Sequence, residues 1–219
     1  MKPEIKKRVN TGVLLFLILI LMFLNKIVYL FIAMAVFSLS FVEFTKLSSL
    51  TLKKKYIKIF LFNCMFAFYL FSFLLIFIIA LNDIHLKVIL YIILLICISS
   101  DIGGITFGKI FKGPKLTKIS PNKTFSGCLG SFIFSILTSA LLLGYTFNTK
   151  LIDNILLGFF ISVCVQAGDL FFSYLKRKSS LKNTGNILPG HGGILDRIDG
   201  ILLGVPFGLL YVLILVFTK

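Results

Sequence analysis

The residues best suited to handling a phosphorylated substrate lie in one stretch, 173–199, with the sequence SYLKRKSSLKNTGNILPGHGGILDRID. Asp196 and Asp199 stand three positions apart and would project from one face of a helix that begins there. Asp169 lies shortly before this stretch, inside an apolar run. Mg²⁺ takes one or two carboxylates and completes its shell with substrate phosphates and water. The three acids could therefore make an oxygen-rich site for Mg²⁺.

Asp169 has two interpretations at this point. A charged side chain at the centre of a membrane span costs about 2.5–3.5 kcal/mol on insertion scales, so acids inside spans tend to be functional. The first interpretation is a metal or proton site. The second is partial solvation near the membrane interface, or pairing with a lysine.

The basic residues around the acids indicate a phosphate group. The chain contains 20 Lys and only three Arg, yet Arg177 and Arg197 both fall in this stretch. Arginine makes planar, bidentate contacts with phosphate, although juxtamembrane cations also contact anionic lipid. His191 is interpreted as a substrate contact. Glycines around it would let the backbone approach a phosphate closely: Gly190, Gly192 and Gly193.

A second polar stretch, 101–127, has the same character. It follows an apolar run and combines Asp101 with glycines, lysines and the run SPNKT at 120–124. We interpret it as a loop over 101–125 that forms a second phosphate-contacting wall. A plain basic cytoplasmic loop is an equally good interpretation of its composition.

The elements that position these residues are transmembrane helices. The 219-residue chain is 58% hydrophobic with a mean hydropathy of +1.03, which excludes an ordinary soluble domain. We predict an all-α polytopic membrane protein with one domain: N-terminal helices at 1–100, a catalytic region at 101–200 and a last helix at 201–219. About seven crossings are expected, with the N-terminus inside, at 11–24, 27–44, 59–81, 86–100, 127–147, 155–175 and 201–217.

The distribution of charge sets the expected orientation. The chain has a formal net charge of +15. Of its 23 basic residues, 19 fall in four blocks at 2–8, 46–58, 109–123 and 176–197. The apolar segments between the blocks place all four on one side, as the positive-inside rule predicts. We therefore expect an integral protein of a bacterial-type inner membrane, with its active site facing the cytoplasm. Nucleic-acid binding is not needed to explain the charge.

Residues 173–199 resemble the signature of phosphatidate cytidylyltransferases, also called CDP-diacylglycerol synthases. Gly168-Asp169-Leu170, Ser120–Thr124 and Glu43-Phe44 agree with the same family. Specific similarity covers roughly 101–200. This chain departs from the family's pattern at Asn183, Ser126 and Phe172, where the family usually carries acids.

The resemblance implies a reaction in which CTP and phosphatidate give CDP-diacylglycerol and pyrophosphate, with Mg²⁺ required. It implies that Asp169 and Asp196 hold the metal and that Asp199 completes the acidic site. It also implies that Lys176 and Arg177 are catalytic residues beside these acids. The implied substrate contacts are Ser120, Lys123, Thr124, Lys182, Gly190, His191, Gly192, Gly193 and Arg197. The implied partners are the two substrates and the lipid bilayer, and a homodimer is compatible with the chain.

Two other function classes remain open from the sequence. A CTP-dependent lipid kinase, or a cytidylyltransferase for another lipid phosphate, would share the site but not the acceptor. A membrane transporter would use Asp169 on an ion path. Five of the eight acids gather at one membrane edge in the expected topology, which disfavours a path across the membrane.

Overall fold

The computed structural model describes residues 3–53, 55–117, 120–121, 123–188, 190 and 192–217. This part of the chain is all-α, as expected, with no β-strand in the ranges just given. The helices are α1 (Pro3–Leu24), α2 (Lys26–Leu52), α3 (Tyr56–Ala80), α4 (Ile84–Phe111), α5 (Phe125–Phe147), α6 (Leu151–Lys178) and α7 (Leu195–Phe217).

Helix length and composition make this an integral membrane protein. Helices α2 to α7 each contain an apolar window long enough to cross a bilayer, since about 20 residues span its hydrocarbon core. In α1 the apolar part is shorter, Asn10–Leu24. The polytopic fold is therefore confirmed, and the crossing expected at 11–24 stays a prediction.

The described residues fall into two compact units. The first contains residues of 1–84 and 175–198, and the second those of 85–174 and 199–219. In the first unit α2 packs against both α1 and α3. Aromatic rings make much of this contact: Phe44 stacks on Phe66 at 3.7 Å between centroids. The Tyr29 hydroxyl donates to the Phe77 carbonyl at 2.9 Å.

In the second unit, glycines bring α4 and α5 into close contact. A Cβ built at Gly127 would lie 2.8 Å from the Gly104 carbonyl oxygen, and one at Gly130 would lie 2.5 Å from that of Gly103. Small residues of this kind let two membrane helices approach at the backbone. The loop expected at 101–125 is thus partly wrong, because α4 continues to Phe111. The glycines of this stretch are used for helix packing, and the loop occupies 112–124.

Other helix ends also differ from the expected ones. The helix expected at 27–44 continues to Leu52, and the helix expected from 201 begins at Leu195. The connection between α6 and α7 therefore occupies 179–194, which is shorter than the gap between the spans expected at 155–175 and 201–217. The early start of α7 has an identifiable cause, because the Glu43 side chain accepts hydrogen bonds from the N–H groups of Ile194 and Leu195, where the helix begins.

Candidate active site

Asp196, in the first turn of α7, closes a loop within the first unit. Its Oδ1 accepts from Lys176 Nζ at 2.8 Å, and its Oδ2 accepts from Thr184 N at 2.9 Å and Gly193 N at 3.0 Å. The side chains of Lys176 and Asp196 are only 12% and 6% exposed. One carboxylate thus binds both ends of the connection that contains the glycine-rich sequence.

Glu43 of α2 binds the same two ends. Its Oε2 accepts from Thr184 Oγ1 at 2.7 Å and Leu195 N at 2.9 Å, and its Oε1 accepts from Ile194 N at 3.0 Å. Glu43 is buried, with 5% of its surface exposed. It also lies at the start of α7, where the helix dipole favours a negative charge. We call residues 184–195 the clamped loop, since both Glu43 and Asp196 bind its ends.

Sequence reasoning gave Glu43 no role beyond its place in the family resemblance. The available signal was an acid within an otherwise apolar span, which is costly unless it is hydrogen-bonded. The local sequence could not indicate which groups donate to Glu43, because these donors lie 141 to 152 positions later in the chain.

Two glycines of the clamped loop adopt backbone conformations that favour glycine. Gly190 and Gly192 have φ values of +77° and +88°, in the left-handed region that favours glycine. Gly192 N donates to Leu188 O at 3.1 Å, and Gly193 N donates to Asp196. Those two amides are therefore engaged inside the loop, and a phosphate would draw on other donors. His191 lies outside the described residues.

Cationic side chains near the clamped loop differ in exposure. Lys176 is largely buried in its pair with Asp196, whereas Arg177, Lys182 and Arg197 are exposed. Arg177 Nη1 lies 3.4 Å from the Leu181 carbonyl oxygen, to which it donates. Lys176 and Arg177 are adjacent in sequence, but of the two only Lys176 forms the ion pair with Asp196.

Asp169 of α6 forms the corresponding pair in the second unit. Its Oδ2 accepts from Lys123 Nζ at 2.8 Å, with the side chains of Lys123 and Asp169 27% and 22% exposed. Lysine pairing was one of the two interpretations of this acid. Lys123 stands just before α5, where Thr124 Oγ1 accepts from Gly127 N at 3.1 Å and caps the helix. Ser120 O accepts from Lys123 N at 3.0 Å, so the implied contacts of this loop are neighbours.

Asp199 is buried in α7 at a close approach to α6, also within the second unit. A Cβ built at Gly168 would lie 2.5 Å from the Asp199 carbonyl oxygen, and one at Gly200 would lie 2.9 Å from Asp169 Oδ1. The Asp199 side chain accepts from Gly200 N at 3.1 Å. The two glycines therefore let the backbones that carry Asp169 and Asp199 pack directly against each other.

The three departures from the family's pattern have different surroundings. Ser126 donates from Oγ to the Lys112 carbonyl and holds the start of α5 against the end of α4. Asn183 is exposed and lies beside Gly192 in the clamped loop. Phe172 is buried, with 4% of its surface exposed.

Comparison with known proteins identifies the family. The model of the Cytidylyltransferase family matches residues 2–215, nearly the whole chain. The chain belongs to this family. Among curated proteins, the phosphatidate cytidylyltransferase of Helicobacter pylori (strain J99) is 41% identical over 113 residues, and that of Rickettsia felis is 42% identical over 126 residues. The phosphatidate cytidylyltransferase of Mycobacterium leprae is 38% identical over 117 residues.

These matches cover part of each protein. The first two span 51% and 52% of this chain, and 42% and 55% of the relatives themselves. The chain thus spans about half the length of the curated relatives that it matches. Membership of the cytidylyltransferase family rests on the family model, which matches residues 2–215.

The geometry of the two acid–lysine pairs tests whether this chain could hold Mg²⁺. Asp169 suits the ion, because Lys123 is the only hydrogen-bond partner of its carboxylate among the described residues and Oδ1 accepts no hydrogen bond from them. Asp196 suits it only once Lys176 leaves Oδ1, since its other oxygen holds two amides. No group of three His, Cys, Asp or Glu side chains with metal-binding geometry occurs in the described ranges. Mg²⁺ does not require one, because phosphates and water supply its remaining ligands.

Proposed function

We propose that this chain transfers CMP from CTP to phosphatidate, giving CDP-diacylglycerol and pyrophosphate. The observation that carries the proposal is the buried Lys176–Asp196 pair at the base of the clamped loop, in a member of the cytidylyltransferase family. Related proteins of three bacteria are named phosphatidate cytidylyltransferases. Exposed Lys182 and Arg197 flank the loop and supply charge for an anionic substrate.

In the proposed reaction a phosphatidate oxygen attacks the α-phosphorus of CTP. A new P–O bond forms there, the bond from the α-phosphorus to the oxygen bridging to the β-phosphate breaks, and pyrophosphate leaves. The attacking phosphate is already anionic, so no strong general base is needed. Positioning and charge neutralisation then provide most of the catalysis, as in phosphoryl transfer generally.

The cationic side chains have distinct roles in this proposal. Arg177, Lys182 and Arg197 are exposed and would neutralise substrate phosphates, with arginine able to make bidentate contacts. Lys123 and Lys176 neutralise Asp169 and Asp196 before substrate arrives. Asp169 and Asp196 are each proposed as an Mg²⁺ ligand, and bound Mg²⁺ would offset the charge of the nucleotide phosphates and the leaving pyrophosphate.

The proposed orientation places these loops in the cytoplasm, where CTP is available. The basic connections after α2, α4 and α6 follow alternate helices, so they share one side if each of the six long apolar helices crosses the membrane. Their lysine and arginine content assigns that side to the cytoplasm under the positive-inside rule.

The decisive experiment uses the full chain in detergent with phosphatidate, Mg²⁺ and CTP labelled at the α-phosphate. A phosphatidate cytidylyltransferase labels the lipid and releases pyrophosphate. A CTP-dependent kinase instead releases labelled CDP and leaves the lipid unlabelled. Absence of nucleotide turnover by the inserted wild-type protein would contradict the proposed phosphatidate cytidylyltransferase activity.

The variant Asp196→Asn tests the proposed ligand set. It should lose the labelled lipid while still inserting into the membrane, because it removes the charge that would hold the metal. Asp153→Asn is the matched control, since Asp153 lies in the first turn of α6, at the opposite end from Lys176. Near-normal turnover by Asp196→Asn would refute the metal assignment.

A further inference from the structure

Glu43 connects α2 to both ends of the clamped loop. Its donors are the hydroxyl of Thr184 at one end and the backbone N–H groups of Ile194 and Leu195 at the other. No other side chain in the described ranges accepts hydrogen bonds from those two amides. The base of the loop therefore depends on a side chain that lies more than 140 positions earlier in the chain.

The environment of Glu43 is specific for a carboxylate. A buried acid is costly unless hydrogen bonds compensate for the lost solvation, and here three donors converge on its two oxygens. The first N–H groups of a helix have no partner within the helix, so a carboxylate beside Leu195 serves a need that an apolar side chain would leave unmet. Gly185 and Gly193 leave the space for it, because a Cβ built at either would meet Glu43 Oε1 at 2.5 Å.

The parts of the loop held by Glu43 carry the implied substrate contacts. Gly190 lies within the loop, and Asp196 and Arg197 follow directly after Leu195. Asp196 in turn binds Thr184 N and Gly193 N. A displacement at the base would therefore move the glycines, the acid and the arginine together.

We infer that Glu43 is a positioning residue for nucleotide binding: it holds the clamped loop so that Gly190 and Arg197 face the phosphates of CTP. The inference rests on the proposed function for the identity of the nucleotide. It assigns Glu43 no contact with substrate, metal or a reacting atom.

The substitution Glu43→Gln separates this role from mere space filling. Glutamine has nearly the same shape, but one carboxylate oxygen becomes an NH₂ group. Whichever oxygen is replaced, Ile194 N–H or Leu195 N–H then faces a donor and loses its acceptor. A hydrogen bond to a charged group corresponds to a factor of about tenfold to a hundredfold in an equilibrium constant.

Two measurements on the full chain in detergent test the inference. Amide hydrogen exchange of peptides covering 184–195 should be at least about tenfold faster in Glu43→Gln. The KM for CTP should rise by about tenfold. A smaller fraction of folded enzyme would lower the apparent kcat and leave KM unchanged, so the KM distinguishes positioning from a structural defect.

Ser40→Ala provides a matched control on the same helix. Ser40 is also fully buried, but its hydroxyl donates to Val36 O inside α2 at 2.6 Å. This variant should keep the wild-type KM and the wild-type exchange of 184–195. If Ser40→Ala and Glu43→Gln accelerate exchange equally, the specific role of Glu43 is refuted.

Thr184 supplies an independent pair of variants. Thr184→Val removes the hydroxyl that binds Glu43 at nearly constant volume, and Thr184→Ser retains it. The valine variant should raise the KM for CTP severalfold, and the serine variant should not. If Glu43→Gln fails to insert, this pair decides, and equal KM values for valine and serine overturn the inference. If the wild-type protein forms no CDP-diacylglycerol, the proposed function fails, while the exchange comparison still shows whether Glu43 holds the loop.

Discussion

The two acid–lysine pairs have the same nitrogen–oxygen distance but differ in burial, so comparing them tests how burial changes the cost of removing one partner. Lys176 Nζ lies 2.8 Å from Asp196 Oδ1, and Lys123 Nζ lies 2.8 Å from Asp169 Oδ2. The side chains of the first pair are 12% and 6% exposed, and those of the second are 27% and 22% exposed. We predict that Lys176→Met destabilises the protein more than Lys123→Met, because methionine keeps most of the apolar length and removes the ammonium.

The magnitudes follow from the desolvation of the acid left behind. Removing one partner of a buried ion pair costs about 3 kcal/mol, near the lower end of the usual range because Asp196 keeps two amide donors. Water can partly solvate Asp169 once Lys123 is gone, so its loss should cost about 1 kcal/mol. For a chain of this size, about 1 kcal/mol shifts the melting temperature by roughly 2–4 °C. The expected decreases are thus about 6–12 °C for Lys176→Met and about 2–4 °C for Lys123→Met.

The assay is thermal unfolding in detergent, followed by the loss of helical circular dichroism. The double variant Lys176→Met/Asp196→Asn isolates the unpaired charge, because asparagine removes the charge that methionine leaves behind. It should recover about 1–2 kcal/mol relative to Lys176→Met alone. Equal decreases for the two lysine variants, or a larger one for Lys123→Met, would refute the assignment of a buried charge to Asp196.

Two further predictions concern helix packing and topology. Gly168→Ala should lower the free energy of unfolding by about 1–3 kcal/mol or more and abolish product formation, because its Cβ would lie 2.5 Å from the Asp199 backbone oxygen. Gly12→Ala is its control, since a Cβ there meets nothing within 4 Å; comparable melting temperatures for both variants would contradict the packing argument. A cysteine can be placed on each of the three basic connections with the variants Lys53→Cys, Lys115→Cys and Lys182→Cys. All three cysteines should react with an impermeant thiol reagent from the same side of the membrane. Labelling of one of them from the opposite side would contradict the topology.

Sequence reasoning located the helices well and their ends less well. Apolar runs of about 20 residues are a local property, so each expected span coincides with a helix, and only Leu81 of the span 59–81 lies outside one. The end of α4 lies beyond its predicted position, because the glycines after Ser100 predict a loop from the local sequence alone. Whether a glycine interrupts a helix or lets a second helix approach depends on α5, which the local sequence does not contain.

In the candidate site, too, the local sequence indicates the residues but not their tertiary partners. Residue types and spacing selected Asp169, Asp196 and Asp199 together with their basic neighbours, and nearly the whole chain matches the family. They did not show that Lys123 pairs with Asp169 or that Lys176 pairs with Asp196, because charge alone does not choose among the many lysines of the chain.

The sequence by itself therefore determined the all-α membrane fold, the family and the small set of polar residues available for chemistry. Hydrophobicity, charge and motif spacing are properties of short segments and can be read without coordinates. The tertiary structure decided where α7 begins, which lysine neutralises which acid, and that Glu43 holds the clamped loop. Each of these depends on donors and acceptors far apart in the chain, and only folding brings them within hydrogen-bonding distance.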